Sequence, residues 1–278
     1  MRIDFVKDNV TIHSEYNVVF NKDTNSVIVT GEKGKEKVIN TCSKDLKIFV
    51  NGSIDLVETF RDCAMVEYSV IVDENCDVNN TMIVSVNNKD INKKIEVLKG
   101  VSLNEILVDL GNNESNISMN IDLNGEHIDC YNRVASIASG VVKNYDIKVN
   151  HNTGNSKSKL DNHGVATKDG ELYFKATGSI VKNGMKSSML QNNKIILFDE
   201  ESKGEIKPLL LIDNNDVSAS HAAAVGKVDD NQIFYLCSRG INEAEAKKMI
   251  ALGYLIPVLE YISDESVKEE ISKEIAKI

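Results

Sequence analysis

From its start to about residue 228 the chain repeats one device: four to eight residues in which apolar and polar side chains alternate, closed by Asn, Asp or Gly. NVVFN, NSVIVTG, LKIFVNG, VEYSVIVDEN, NTMIVSV, ISMNIDLNGE, YDIKVNHN, ELYFKATGSIVKNG, NKIILFDE and PLLLIDNND all follow it. Alternation sends every second side chain to one face, and the Val, Ile, Tyr and Phe content suits a pleated, half-buried surface, so these runs read as strands. Helical periodicity is nearly absent here. VSLNEILVDLG fits one helical stretch, but its β-branched residues and its neighbours predict a strand. Only two prolines occur, Pro208 and Pro257, so the turns fall to Asn and Gly.

Short, evenly spaced strands suit a sandwich, a closed barrel or a solenoid of stacked rungs. Two-residue Asn-Gly turns between matched strands are few, which favours parallel pairing and a parallel β-helix, although no exact rung repeat is visible. A chain of 278 residues has room for one large β body and an appendage.

The appendage starts at Asp229, where the pattern changes to helical. In DDNQIFYLCSRG, Asp229 or Asp230 is the N-cap, Ile233, Phe234 and Leu236 form an apolar stripe, and Gly240 stands where a left-handed terminator belongs. INEAEAKKMIALG offers Asn242 as N-cap with Glu245 three positions on, and Gly253 to close the helix. Pro257 then falls in the opening turn of YLIPVLEYI, where its missing N–H costs little. DESVKEEISKEIAKI keeps Val267, Ile271, Ile275 and Ile278 on one face. The sequence thus predicts a mainly β fold over residues 1–228 and a small α-helical domain over residues 229–278. About fifty residues hold little core of their own, so the apolar stripes must pack on the β body or on a partner.

Charge and motifs exclude several functions. With 42 Asp and Glu against 32 Lys and Arg, the net charge of −10 is wrong for a nucleic-acid groove, which needs clustered positive charge. MRIDFVKDNVTIHSEYNVVF has no apolar stretch of signal-peptide length, and no run approaches the roughly 18 apolar residues of a membrane span. The expectation is a cytoplasmic chain whose five cysteines, Cys42, Cys63, Cys76, Cys130 and Cys237, are free thiols with no C-x-x-C pair. TGEKGKEK lacks the Ser or Thr that follows Gly-Lys in a phosphate loop, and in GSIVKNGMKSS Met185 separates Gly184 from Lys186, so both read as turns between strands. No hydrolase motif is present, and with tryptophan absent and aromatics at 5% a carbohydrate-active β-helix lacks its stacking residues. The chain is expected to catalyse nothing itself.

Few side chains remain that could carry chemistry. In DNNDVSASHAAAVGKVD, strand alternation sets Val217, Ala219, His221, Ala223 and Val225 on one face. That face is either core, with His221 a buried and hydrogen-bonded imidazole, or a flat small-residue surface on which another chain docks. Ile128 and Cys130 continue the apolar face of Ile117, Met119, Ile121 and Leu123 after a register change at Asn124-Gly125, which makes Cys130 a small hydrophobe or a ligand. Glu126 lies on the same side as a second candidate ligand. His151 and His163 flank the polar NTGNSKSKLDN and read as exposed, and His13 and His127 belong to no constellation.

Taken together, VNHNTGNSKSKLDNHGVATKDGELYFKATGSIVKNGMKSSMLQNNKIILFDE and KPLLLIDNNDVSASHAAAVGKVDDNQIFYLCSRGINEAEAKKMIALGYLIPVLEYI resemble the SufB/SufD family of iron–sulfur cluster assembly proteins. The second block is the more specific: a Pro-led strand, an acidic turn, Ser-His, Val-Gly, Phe-Tyr-Leu, Ser-Arg-Gly-Ile and a Glu-rich helix. The resemblance implies a right-handed parallel β-helix and a C-terminal helical domain that binds an ABC-type ATPase. It also implies pairing of two β-helices as a homodimer or with a related chain, and a nascent cluster held at their interface. It puts His221 on that interface, as the first candidate cluster ligand ahead of Cys130 and Glu126. By pattern alone Phe234, Tyr235, Arg239 and Ile241, with Met249 on the next helix, either contact a partner or only seat and cap the helices, and the resemblance points to the ATPase contact. Two ligands found in family members are missing: Ala219 and Ala222 stand where a cysteine or glutamate occurs, and Ile195 and Ile196 where a scaffold cysteine is expected. The long N-terminal helical extension of larger members is also missing, which matches the compact forms.

Overall fold

Strand pairing explains why the repeat is hidden. In the computed structural model, residues 1–85 and 90–275 are described, apart from the side chains of residues 270 and 272–275. The chain opens with β1 (Arg2–Val6), β2 (Asn9–Asn21) and β3 (Ser26–Cys42). There follow β4 (Leu46–Asn51), β5 (Ile54–Arg61), β6 (Met65–Val72), β7 (Asp77–Val84), β8 (Asp90–Val97), β9 (Ser102–Asp109) and β10 (Ser115–Leu123). The series ends with β11 (Asp129–Ser139), β12 (Val142–His151), β13 (Lys157–Thr167), β14 (Glu171–Ile180), β15 (Ser188–Leu197), β16 (Lys203–Ile212) and β17 (Ser218–Lys227).

From β4 onward each strand lies parallel to the one two places along. Even-numbered strands make one face and odd-numbered strands the other, a parallel β-solenoid of about six turns. Leu46 lies beside Tyr68, but Glu171 lies beside Lys203, so one turn takes 22 residues (46 to 68) early and 32 (171 to 203) late. A fixed-period search has nothing to find.

Inward positions of successive rungs stack into one core: Ile91, Ile95 and Val97 of β8 lie next to Ile117, Ile121 and Leu123 of β10, followed by Tyr145, Val149 and His151 of β12. Each fully buried Ile or Val is worth about 1.5–3 kcal/mol in transfer free energy. The N-terminal end is closed by the chain itself. β1 pairs antiparallel with β2 and parallel with β5, β2 pairs antiparallel with β3, and Ile3, Phe5, Val10 and Ile12 are fully buried there. The run TGEKGKEK is accordingly not a turn. It lies inside β3, with Lys33 beside Tyr16 and Lys37 beside Ser14, because this hairpin needs a long second strand to cover the first. At the other end, nothing among the described residues pairs beyond β16 and β17, and most of their side chains are exposed.

Three helices complete the chain: α1 (Asp230–Ser238), α2 (Glu243–Leu259) and α3 (Glu265–Ile275). The caps fall as the sequence predicts. Asp229 accepts from the Asn231 amide at 2.9 Å, Asn242 accepts from the Glu245 amide at 2.9 Å, and Gly240 takes a positive φ of 89°. Gly253 and Pro257 do not fall as predicted: α2 runs through both. Gly253 has no positive φ to stop the helix, and Ala251, Leu255 and Val258 on either side continue one buried stripe. That stripe, with Val267 and Ile271 of α3, forms a second core against Val57, Ile106, Val108, Ala135, Ile137, Val165, Ile196 and Phe198 on the outside of the odd-numbered face. The expected positions of the Ile275 side chain and of Ile278 lie outside the described residues.

Candidate functional site

The open end of the solenoid is where the candidate imidazole sits. Leu56, Asn80, Glu105, Asn132, Leu160, Gln191 and His221 are register neighbours from β5 to β17, one inward column through the molecule. Every member before the last is buried, and His221, with no strand beyond it, is exposed. Val217, just before β17, and Ala219 on it share the parity of His221 and are partly buried against the core, so the strand keeps its inward face, with nothing covering it among the described residues. Gln191 directly beneath donates Nε2–H to the Leu209 carbonyl at 3.1 Å, joining the two faces just below the opening.

Around His221 the strand is Ser-Ala-Ser-His-Ala-Ala-Ala-Val-Gly, and a Cβ added to Gly226 would meet nothing within 4 Å. Such small side chains let another backbone approach closely. On β16, Leu209 and Leu211 are exposed, and Pro208 lacks the N–H that a central strand would use. An exposed edge with apolar side chains is a template for strand pairing.

The three candidate ligands do not come together. Cys130 belongs to the column Leu103, Cys130, Ser158, Met189, Ala219, three strand spacings from β17, which is about 14 Å within the sheet. It is buried in the core, and burial, with the Glu105 carboxylate adding to it, pushes the thiol up to about 12. The thiolate is the ligand form, so in the folded chain this cysteine rests as a protonated thiol packed in the core. Glu126 is exposed in the turn before β11, where its carbonyl accepts from the Gly100 amide at 2.9 Å. Of the other cysteines, Cys63 and Cys76 are buried, Cys42 is exposed and Cys237 is half-buried. Among the described residues β17 offers the His221 imidazole and the Ser218 and Ser220 hydroxyls as donors, with no thiol on the strand.

The residues singled out for a partner lie on α1, just after it and on α2, and most are exposed. No residue of α1 is buried; Phe234 is 74% exposed and Tyr235 56%. Arg239 stacks over the Tyr235 ring at 5.1 Å and donates to its hydroxyl at 3.0 Å. Met249 is exposed on α2, and Ile241 is half-buried between the two helices. Among the described residues no helix is long and apolar enough to cross a membrane.

Several buried polar groups escaped the sequence. Lys93 bridges Glu58 at 2.6 Å and Glu105 at 2.7 Å inside the solenoid, with Tyr68 and Asn80 donating to Glu58. Lys143 meets Asp109 at 2.5 Å, and the Tyr145 hydroxyl donates to the same carboxylate at 2.7 Å. A signal existed: Lys93 shares the parity of Ile91 and Ile95, and Lys143 that of Ile147 and Val149. His151 and His163 are buried, not exposed. His151 faces inward between the Ser156 and Ser158 hydroxyls, each at 2.7 Å, and burial pulls its pKa down to about 4. His163 points outward but is covered by α2.

Comparison with known proteins agrees with this architecture. Residues 12–254 match the family model described as the SufBD core domain of SUF-system FeS cluster assembly. The iron–sulfur cluster assembly protein SufD of Bacillus subtilis (strain 168) is 34% identical over 129 residues, 46% of this chain and 30% of that protein. SufD of Escherichia coli (strain K12) is 32% identical over 127 residues, with the same coverage. A SufBD family protein of Staphylococcus epidermidis is 31% identical over 127 residues, 45% of this chain and 27% of the relative. The aligned segments thus span less than a third of the length of these relatives.

Proposed function

The chain belongs to the SufBD core family of iron–sulfur cluster assembly, and on that premise we propose that it is a scaffold subunit that pairs through the open end of its β-solenoid and carries an ABC-type ATPase on its C-terminal helices. The observation that supports this most is the contrast within β17: a strand with the inward pattern of a core rung, left uncovered, with an imidazole on it. Two copies related by a twofold axis would present the same strand to each other and bring two His221 side chains to one seam. The exposed Leu209, Leu211 and Val225 supply the apolar area for that seam. The nascent cluster is cargo in this reading. His221 is the ligand that this chain offers, and thiolates, the usual ligands of such clusters, come from another component.

ATPase closure on the Phe234, Tyr235 and Met249 surface would then move the helices and, through the second core, the odd-numbered face. The chain itself breaks no bond. A second reading keeps the ATPase and drops the cluster. Ala219, two positions before His221, and Ala222, next to it, stand where a cysteine or glutamate would supply a further ligand, which favours a subunit that only transmits motion.

Iron and acid-labile sulfide per chain, measured after anaerobic reconstitution with a co-purified ABC-type ATPase, separate the two. Near-stoichiometric iron in the parent, lost in His221→Ala, supports the scaffold. No iron in either protein with the ATPase still attached supports the transmitting subunit, and no bound ATPase contradicts both.

A further inference from the structure

Between the solenoid and its helices lies a polar joint that the apolar packing does not require. The His163 Nδ1 meets the Tyr254 carbonyl of α2 at 2.7 Å, 91 residues away in sequence, and its Nε2 lies 3.2 Å from the Asp161 carboxylate. Asp161 also accepts from Lys159 at 2.9 Å and from the Asn192 amide of β15 at 2.8 Å. Asn192 is the register neighbour of Ala222 on β17, and the adjacent Asn193 donates to the Ala222 carbonyl at 3.5 Å. Beside them on β11, Arg133 is buried with its guanidinium 3.6 Å from the Tyr261 ring centroid just after α2, and it donates to Asn104, which in turn donates to the Tyr261 carbonyl at 3.4 Å.

We propose that His163, Asp161 and Arg133 are positioning residues that couple the C-terminal helices to the docking strand β17, so that displacement of α2 reaches the residues next to His221. The path is continuous: the α2 backbone, His163, Asp161, Asn192, then β17. It deepens the scaffold reading and rests on it for the identity of what moves α2.

The Tyr254 carbonyl can only accept, so its partner nitrogen on His163 is the donor. Burial works against the Asp161 carboxylate, yet hydrogen bonds from His163, Lys159 and Asn192 outweigh it and hold the group well below the usual carboxylate range.

Hydrogen exchange on the full chain tests this, read in β17, in α2 and in the central strands β7 to β10. His163→Ala and Arg133→Ala should each raise exchange in α2 and in β17 by about tenfold and leave the central strands unchanged. His163→Gln, which can still donate to Tyr254, should restore α2 protection. Loosening of α2 with β17 unchanged would overturn the proposal and make these residues a seat for the helix only. With an ABC-type ATPase and a non-hydrolysable ATP analogue added, the parent should change exchange in β17 while His163→Ala binds the ATPase without that change. An ATPase that fails to bind the parent contradicts the scaffold reading alone, because the free-chain measurement still decides the joint.

Discussion

At one end of the solenoid Ile3, Phe5, Val10 and Ile12 are fully buried under a hairpin; at the other, Leu209, Leu211 and Val225 are 42%, 57% and 43% exposed on strands with no cover among the described residues. The same alternating strands build both ends, so the difference lies in the lid. β2 and β3 give the first rungs an antiparallel cap whose outer strand carries Lys33, Lys35 and Lys37, charges that discourage further pairing. β17 carries mostly Ala, Ser and Gly, with a single lysine, Lys227, at its end. One end is finished by the chain, and the other is left open among the described residues.

Substitutions can break or sharpen that contrast. The largest expected effect is in the finished interior. Lys93→Met leaves Glu58 and Glu105 buried without their cation and should cost about 3–5 kcal/mol in denaturant unfolding. Phe5→Ala, which removes a ring stacked on Phe60 at 4.5 Å between centroids, should cost a similar ~3–5 kcal/mol. A loss below about 1 kcal/mol in Phe5→Ala would mean that the closed end is not closed, and one that small in Lys93→Met that the buried carboxylates do not need their cation.

His151 gives the interior a pH signature. Its folded pKa, about 4, lies below the ordinary value of 6.5, so the unfolded chain takes up the proton first as pH falls. Stability is therefore full above about pH 6.5 and declines by about 3 kcal/mol on going down to about pH 4. His151→Gln should flatten this part of the unfolding curve, and an unchanged slope would reassign it to other groups. At the open end, Leu211→Ala should change the stability of a single chain by less than about 1 kcal/mol while weakening association between chains. The smallest effect concerns Cys130. With its thiol raised to about 12 it should resist iodoacetamide at about pH 8 in the folded chain, while the exposed Cys42 reacts.

How much of this was legible depended on distance in sequence. Strand alternation is local, and it placed VSLNEILVDLG in β9 and Cys130 in the core. Helix caps are local as well, and Asp229 and Asn242 stand where their side chains bond the first turns. Gly253 failed as a terminator because the outer face of β11 and β13, about a hundred residues earlier, rewards continuation of the apolar stripe. His163 reads as exposed for the same reason: its strand position faces outward, and only α2 makes it buried. TGEKGKEK carries the glycines and charges of a turn, yet pairing with β2 fixes it as strand. Alternation alone leaves His221 between core and docking surface, because whether a further strand follows β17 is not encoded locally; only the family resemblance points to the interface.

The central claim is that β16 and β17 form a docking end for a second copy. Sedimentation velocity on the parent and on Val225→Arg over a micromolar concentration series addresses it directly. A dimer in the parent that becomes a monomer in Val225→Arg, with the denaturant midpoint unchanged, is the predicted result. A parent that stays monomeric at every concentration, or a variant that dimerises as the parent does, would contradict it.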